Sequence, residues 1–260
     1  MLALVAGEGG LPKAIAQAQS EPPLICALEG FAPDGLEPAV SFRLETLGSF
    51  LQELQARGVR EVCFCGRIAR PALDPSRLDA ATLPLVPAFM AALKLGDDGA
   101  LRAVMQIFEE AGFTIRAAHR LLAGLTLPAG FFTRQKPEAA ERALAELGDT
   151  VLAEMGAADL GQACILGAGG VLAREQDSGT DAMLQACVAA GQARGAVLFK
   201  APKPGQDLRA DMPTIGPRTA ALAVEAGLAG LILKADEVIV LERAAVVDCL
   251  DAAGLFLWVR

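Results

Sequence analysis

Leu2–Ala6 is a short, continuously apolar run that enters Gly7-Glu8-Gly9-Gly10 and then a helix-forming stretch, about Pro12 to Gln19. This order of buried strand, glycine turn and helix limits the fold more than any other feature. A strand that is apolar at every position needs cover on both faces, and parallel sheets flanked by helices supply it. The pattern recurs. Leu24–Leu28 reads as a second buried strand, and Val59–Cys65 as a third that ends in Gly66-Arg67. Ser49 is expected to cap the helix that ends before Gly58. Asp97-Asp98 opens a helix through Glu110, with Leu101, Val104, Met105 and Phe108 on one face and Gly112 as its stop. Phe113–Ala117 reads as a further strand.

Gly130 to Pro137 interrupts the alternation with turn and polar residues, so the domain junction is placed there, giving residues 1–132 and 133–260. Beyond it, Ala163–Leu166 and Val171–Ala173 flank the Gly167–Gly170 turn as a hairpin. Thr180 is expected to cap a helix to about Arg194, followed by strand Ala196–Phe199. A helix from Pro217, strands Leu228–Leu233 and Val238–Leu241, helix Arg243–Ala253 and strand Leu255–Val259 complete the chain. The expected fold is α/β in two lobes, an N-terminal Rossmann-like parallel sheet and a C-terminal mixed α/β domain. Functional loops belong at the strand C-termini of such sheets.

Composition excludes several function classes. A net charge of −8 argues against nucleic acid as a partner, since binding it draws on a basic surface. Mean hydropathy is high at +0.40, yet no uncharged apolar run reaches the roughly 18 residues of a membrane span. Met1 leads directly into a strand with no basic n-region, so a cytoplasmic protein is expected. The six cysteines form no C-x-x-C and read as buried thiols; Cys63 and Cys65 share a strand face, but two thiols alone make a poor zinc site. With one histidine, His119, and no tyrosine, acid, base and metal-ligand work falls mainly to Asp and Glu. His119 itself reads equally well as a structural residue.

Two first-half features suit a phosphate. Gly7-x-Gly9 between strand and helix would let backbone N–H groups approach one, although Pro12 stands where G-x-G-x-x-G has its third glycine. A bare tight turn is the alternative. Arg67 and Arg70 follow a strand C-terminus, a natural place to grip a pyrophosphate or simply a surface pair. Glu29 stands where a dinucleotide site carries its ribose-binding acid, which keeps an NAD-type oxidoreductase in view. Glu175, Thr180 and Asp181 sit in a polar turn feeding a helix N-terminus, where capping is the other reading.

Lys200 to Thr219, K-A-P-K-P-G-Q-D-L-R-A-D-M-P-T-I-G-P-R-T, carries the most chemistry. Its four prolines exclude a continuous helix and hold Lys200, Lys203, Arg209, Asp207 and Asp211 on a stiff path. Rigidly presented cations and carboxylates suit a site that must place phosphate and metal together. A structural ion-pair network is the competing explanation.

These pieces recur in a known order. L-V-A-G-E-G-G-L-P, C-G-R-I-A-R-P, D-D-G-A-L-R, D-L-G-Q-A, S-G-T-D-A-M, the 199–219 segment and A-G-L-A-G resemble the LpxI-type UDP-2,3-diacylglucosamine pyrophosphatase family along essentially the whole chain. The family pattern has Glu before G-T-D, where Ser178 stands here. The resemblance implies a Mg²⁺-dependent hydrolase, with Mn²⁺ as a substitute metal. It would cleave UDP-2,3-diacylglucosamine by water attack at the UDP α-phosphorus, giving UMP and 2,3-diacylglucosamine 1-phosphate (lipid X) in lipid A biosynthesis. It implies catalytic roles for Asp211, Asp207 and Lys200, and metal ligation by Asp211, Asp207 and Glu175. Substrate contacts fall on Gly9, Gly10, Arg67 and Arg70 in the first half. In the second half they fall on Gln162, Thr180, Asp181, Lys203, Gln206, Arg209 and Thr214. Contact with the inner-membrane surface and a homodimer are further expectations, with Ala80–Leu93 as the apolar stretch for lipid. A non-catalytic lipid-binding or transfer protein is the alternative, for which an acid cluster beside two lysines would have no use.

Overall fold

The first five strands are paired in parallel, as their uninterrupted apolar runs require. The computed structural model describes residues 1–69, 73–92 and 96–260. Its first part runs β1 (Leu2–Ala6), α1 (Leu11–Ala18), β2 (Leu24–Leu28), β3 (Val40–Phe42), α2 (Leu47–Ala56), β4 (Glu61–Cys65), α3 (Val86–Ala92), α4 (Asp97–Glu110), β5 (Thr114–Ile115) and α5 (Ala118–Leu121). The sheet order is β3-β2-β1-β4-β5. β1 lies in the middle, in register with β2 through Leu4 and Ile25 and with β4 through Leu4 and Cys63. Phe50, Phe64, Met105 and Phe108 fill the core on one side of it. Phe64 and Phe113 both pack on Phe108, and Phe42 stacks on Phe50.

The second part runs β6 (Gly130–Phe131), α6 (Ala139–Ala157), β7 (Ala163–Gly167), β8 (Gly170–Arg174), α7 (Thr180–Ala190), β9 (Val197–Lys200), β10 (Thr214–Ile215), α8 (Pro217–Glu225), β11 (Gly230–Leu233), β12 (Ile239–Val240), α9 (Arg243–Ala253) and β13 (Phe256–Val259). Six strands form a mixed sheet, β6-β13-β11-β9-β7-β8, and β10 pairs with β12. The three central strands are parallel, while β6, β7 and β8 run antiparallel to their neighbours. Period-2 alternation covers both faces. Ile165, Leu198, Leu231 and Leu257 join one core with residues of α7, α8 and α9. Cys164, Val197, Phe199, Ile232 and Phe256 join another with Val151, Leu152 and Met155 of α6. α6 lies so close that a Cβ on Gly148 would enter the Phe199 ring.

The chain divides into two compact units, Met1–Ala123 with Asp207–Asp211, and Gly124–Gln206 with Met212–Arg260. Two expectations change. Gly130-Phe131, read as part of the junction, is an edge strand of the second sheet, hydrogen-bonded to β13; its glycine signalled a strand end rather than a linker. Asp207–Asp211, placed by sequence order in the C-terminal domain, belongs by its contacts to the first unit.

Smaller differences have local causes. Ser49 lies inside α2, whose N-cap is Thr46. α7 ends at Ala190 because Gly191 adopts the left-handed conformation, φ 65°. Among the described residues no helix is long and apolar enough to cross a membrane. The six cysteines are free thiols, and His119 lies in α5.

Candidate functional site

In the first unit, sequence order reverses between β1 and β4, the point beyond which open parallel sheets bind ligands. The loops leaving these two strands interlock there. Gly7 N–H donates to the Cys65 carbonyl at 2.8 Å, and Glu8 and Arg67 exchange backbone hydrogen bonds at 2.9 Å each way. Only glycine permits the crossing. A Cβ on Gly7 would strike the Arg67 carbonyl, and one on Gly66 (φ 86°) would strike that of Gly7. Gly9 has φ 95° with open space beside it, and Gly10 is the N-cap of α1. Three expected substrate contacts, Gly9, Gly10 and Arg67, are thus brought to one sheet edge, while Arg70 lies outside the described residues. Glu29 is paired with Arg43 at 3.0 Å, which gives that carboxylate a partner other than a ribose.

Asp207–Asp211 lies against α4. Arg209 Nε reaches both Asp207 carboxylate oxygens, at 3.0 and 3.1 Å, and Nη2 reaches Oδ2 at 2.8 Å. Nη1 donates to Glu109 Oε1 at 2.6 Å. The Asp207 amide donates to Asp98 Oδ1 at 3.3 Å, and Asp98 Oδ2 is held by Arg102 at 2.7 Å. Hydrogen bonds from Arg209 hold the Asp207 carboxyl below the usual carboxylate range, and the two acids raise the guanidinium correspondingly. The Asp211 amide donates to the Asp207 carbonyl at 3.3 Å, closing one turn of the segment; its side chain is half-buried.

The second unit holds a buried polar cluster at the end of β9. Lys200 is 3% exposed. Its Nζ donates to Thr180 Oγ1 at 2.6 Å and lies 3.6 Å from Glu175 Oε2. Thr180 Oγ1 donates to Glu175 Oε1 at 2.9 Å, and the Gln162 backbone N–H donates to Glu175 Oε2 at 3.0 Å. Thr180, expected to cap α7, is its first residue instead; Gly179 (φ 89°) is the cap, which turns the hydroxyl onto Lys200 and Glu175. Gly161 makes room for Glu175, since a Cβ there would overlap the Glu175 side chain. Nearby on the chain, Asp181 accepts from Thr219 at 2.9 Å and pairs with Arg218 at 3.3 Å. Lys203 pairs with Asp159 at 2.7 Å, its amide donates to Gln206 at 2.8 Å, and Thr214 Oγ1 donates to the Met212 carbonyl.

Sequence reasoning missed Glu109, Asp159, Gly161 and Thr219. Asp159 and Gly161 lie within D-L-G-Q-A, so that motif held the signal; Glu109 carried none.

Among the described residues no three His, Cys, Asp or Glu side chains converge on a metal position. Of the three carboxylates expected to bind one, Glu175 is engaged by Thr180, Lys200 and Gln162, and Asp207 by Arg209. Mg²⁺ often takes only one or two protein carboxylates and fills its shell with water and phosphate oxygens. Carboxylates of this kind, Asp211 among them, are the ligand chemistry such an ion takes.

Two family models match in succession, the LpxI N-terminal domain over residues 1–125 and the LpxI C-terminal domain over 128–258. The chain is also similar to a UDP-2,3-diacylglucosamine pyrophosphatase LpxI from Caulobacter vibrioides. The two are 36% identical over 267 aligned residues, covering 98% of this chain and 95% of that protein. Family models that cover both units in succession, with a 36% identical relative along nearly the whole chain, mean that this chain belongs to the LpxI family.

Proposed function

We propose that this protein is a hydrolase of lipid A biosynthesis that cleaves UDP-2,3-diacylglucosamine at the UDP α-phosphorus, releasing UMP and 2,3-diacylglucosamine 1-phosphate. The end-to-end similarity to a pyrophosphatase of that name carries the reading. The local geometry supports it. The amides of Gly9 and Gly10 open α1, where a helix N-terminus favours an anion, and Arg67 adds positive charge at the same sheet edge. Asp211 orients the attacking water or holds Mg²⁺. The metal, when bound with substrate phosphate oxygens, neutralises charge that would repel the nucleophile. Lys200 is too deeply buried to meet a lipid directly and acts by fixing Thr180 at the start of α7.

Leu83 and Met90 are 56% and 54% exposed, giving the 80–92 stretch apolar surface for a membrane or an acyl chain. Leu93 lies outside the described residues.

The test is turnover of the purified protein on UDP-2,3-diacylglucosamine, with products resolved by mass. In ¹⁸O-water the label is expected in UMP. Chelation should abolish turnover and Mg²⁺ or Mn²⁺ restore it, whereas full activity in chelator removes the metal from the scheme. Asp211→Ala is expected to lower kcat by roughly 10²–10⁴ while leaving fold and lipid binding intact. Tight binding of the lipid without turnover would identify a lipid carrier instead.

A further inference from the structure

Residues 207–211 belong to the first unit although the chain on both sides belongs to the second. Something must hold so short a segment there, and among the described residues Ala210 is its one residue packed against the first core. Among the described residues the polar part of the hold centres on Arg209. The Arg209 fork spans Asp207 of its own segment and Glu109 of α4, at 2.8 and 2.6 Å. Asp98, roughly three turns from Glu109 on the same face of α4, takes the Asp207 amide. Arg209 also donates its own amide to Asp207 Oδ1 at 3.0 Å, so the carboxylate meets the arginine through backbone and side chain together.

We propose that Arg209 is a positioning residue that clamps the 207–211 segment to α4 through Glu109, and so fixes Asp211, rather than a ligand of the substrate. The inference deepens the hydrolase reading and rests on it for the role of Asp211. A guanidinium suits the task because its planar fork serves two carboxylates in fixed directions, which a lysine cannot do. Asp211 is linked to the clamp through its amide, which donates to the Asp207 carbonyl. Loosening the clamp leaves the carboxylate present but misplaced, and displacement of a catalytic group by about 1 Å can cost 10²-fold in rate.

Glu109 is 41% exposed on an otherwise intact helix, so Glu109→Ala is expected to fold. The experiment combines Glu109→Ala, Glu109→Gln, Arg209→Ala and Arg209→Lys, read by steady-state kinetics on UDP-2,3-diacylglucosamine and by hydrogen exchange of the 207–211 amides. Glu109→Ala should lower kcat about tenfold with KM within about twofold, and exchange across 207–211 should quicken at least fivefold. Glu109→Gln, which still accepts a hydrogen bond, should fall between. Arg209→Lys should resemble Arg209→Ala. Raising NaCl to about 0.5 M should slow wild type but not Glu109→Ala, because the pair it screens is already gone. A KM effect confined to the Arg209 variants, with Glu109→Ala silent and exchange unchanged, would make Arg209 a substrate ligand and overturn the proposal. Absence of turnover in wild type would instead defeat the hydrolase reading, while the exchange measurement still decides whether the clamp exists.

Discussion

Replacing Glu175 by Gln keeps the shape of the β9 cluster and removes the charge that faces Lys200. The lysine is 3% exposed, and among the described residues Glu175 is the acid within ion-pair distance of it. Removing one partner of a buried pair costs about 3–5 kcal/mol, because the other charge stays where water cannot reach it. One orientation of the new amide would also point an N–H at the Gln162 N–H that now donates to Glu175. The expected destabilisation is therefore about 4 kcal/mol. Trp258, the only tryptophan, lies in β13 of the same sheet and reports on that unit alone. With a urea dependence of about 2 kcal/mol/M, the fluorescence midpoint should drop by about 2 M. Adding Lys200→Met should recover most of the loss, since a neutral pair leaves no buried charge. A Glu175→Gln midpoint within about 0.3 M of wild type, or strictly additive single variants, would refute the argument.

Three further outcomes are expected. Gly66→Ala should prevent accumulation of folded protein or lower its melting temperature sharply, because the new methyl meets backbone at a φ of 86° that alanine rarely adopts. His119 is held below its usual 6.5 mainly by burial, helped by Arg120. The unfolded chain therefore takes up the proton first, so this residue's contribution to stability is complete above about pH 6.5 and is lost as pH falls through the lower folded value. Circular-dichroism urea midpoints between pH 7.5 and 5 should fall less steeply in His119→Gln, and an unchanged slope would contradict the assignment. Buried Cys26, Cys63, Cys65 and Cys164 should stay silent to a thiol reagent until the protein unfolds, with burial pushing Cys26 and Cys164 up to about 12. Cys187 and Cys249 should react slowly in the native state.

Much of the fold was legible because buried parallel strands write themselves as continuous apolar runs. α4 and α9 have their expected limits, Asp97–Glu110 and Arg243–Ala253, since Gly112 and Gly254 stop them in the left-handed conformation. β3 went unread: Val40-Ser41-Phe42 is too short for a period to show, and its place is set by pairing with β2. α6, the longest helix among the described residues, was also unread, although Ala145, Val151, Leu152 and Met155 form its buried face. Its starting signal is a capping box of Glu138 and Glu141 rather than Ser, Thr, Asp or Asn. The candidate site was legible residue by residue and not as an arrangement. Identity and spacing marked Asp207, Arg209, Glu175 and Lys200 as chemical residues, but pairing with Glu109, Asp98 and Thr180 depends on tertiary placement.

That pairing decides how the carboxylates divide their work. An acid that bonds a buried or forked cation is held by it as part of the structure. Glu175 receives two protein hydrogen bonds and lies beside the Lys200 ammonium. Asp207 accepts the Arg209 fork across both oxygens, and Asp98 is divided between Arg102 and the Asp207 amide. Asp181 is shared between Thr219 and Arg218. In the proposed hydrolase those four acids serve placement, and the prolines around Asp211 acquire a reason. Pro213 follows two residues later, and Thr214 enters β10, so the segment leaves Asp211 on a fixed course. On this account the neighbouring acids matter for where Asp211 stands. Their neutral variants should lower stability or kcat through placement, and only loss of Asp211 should remove the chemical step while the surrounding pairs stay formed.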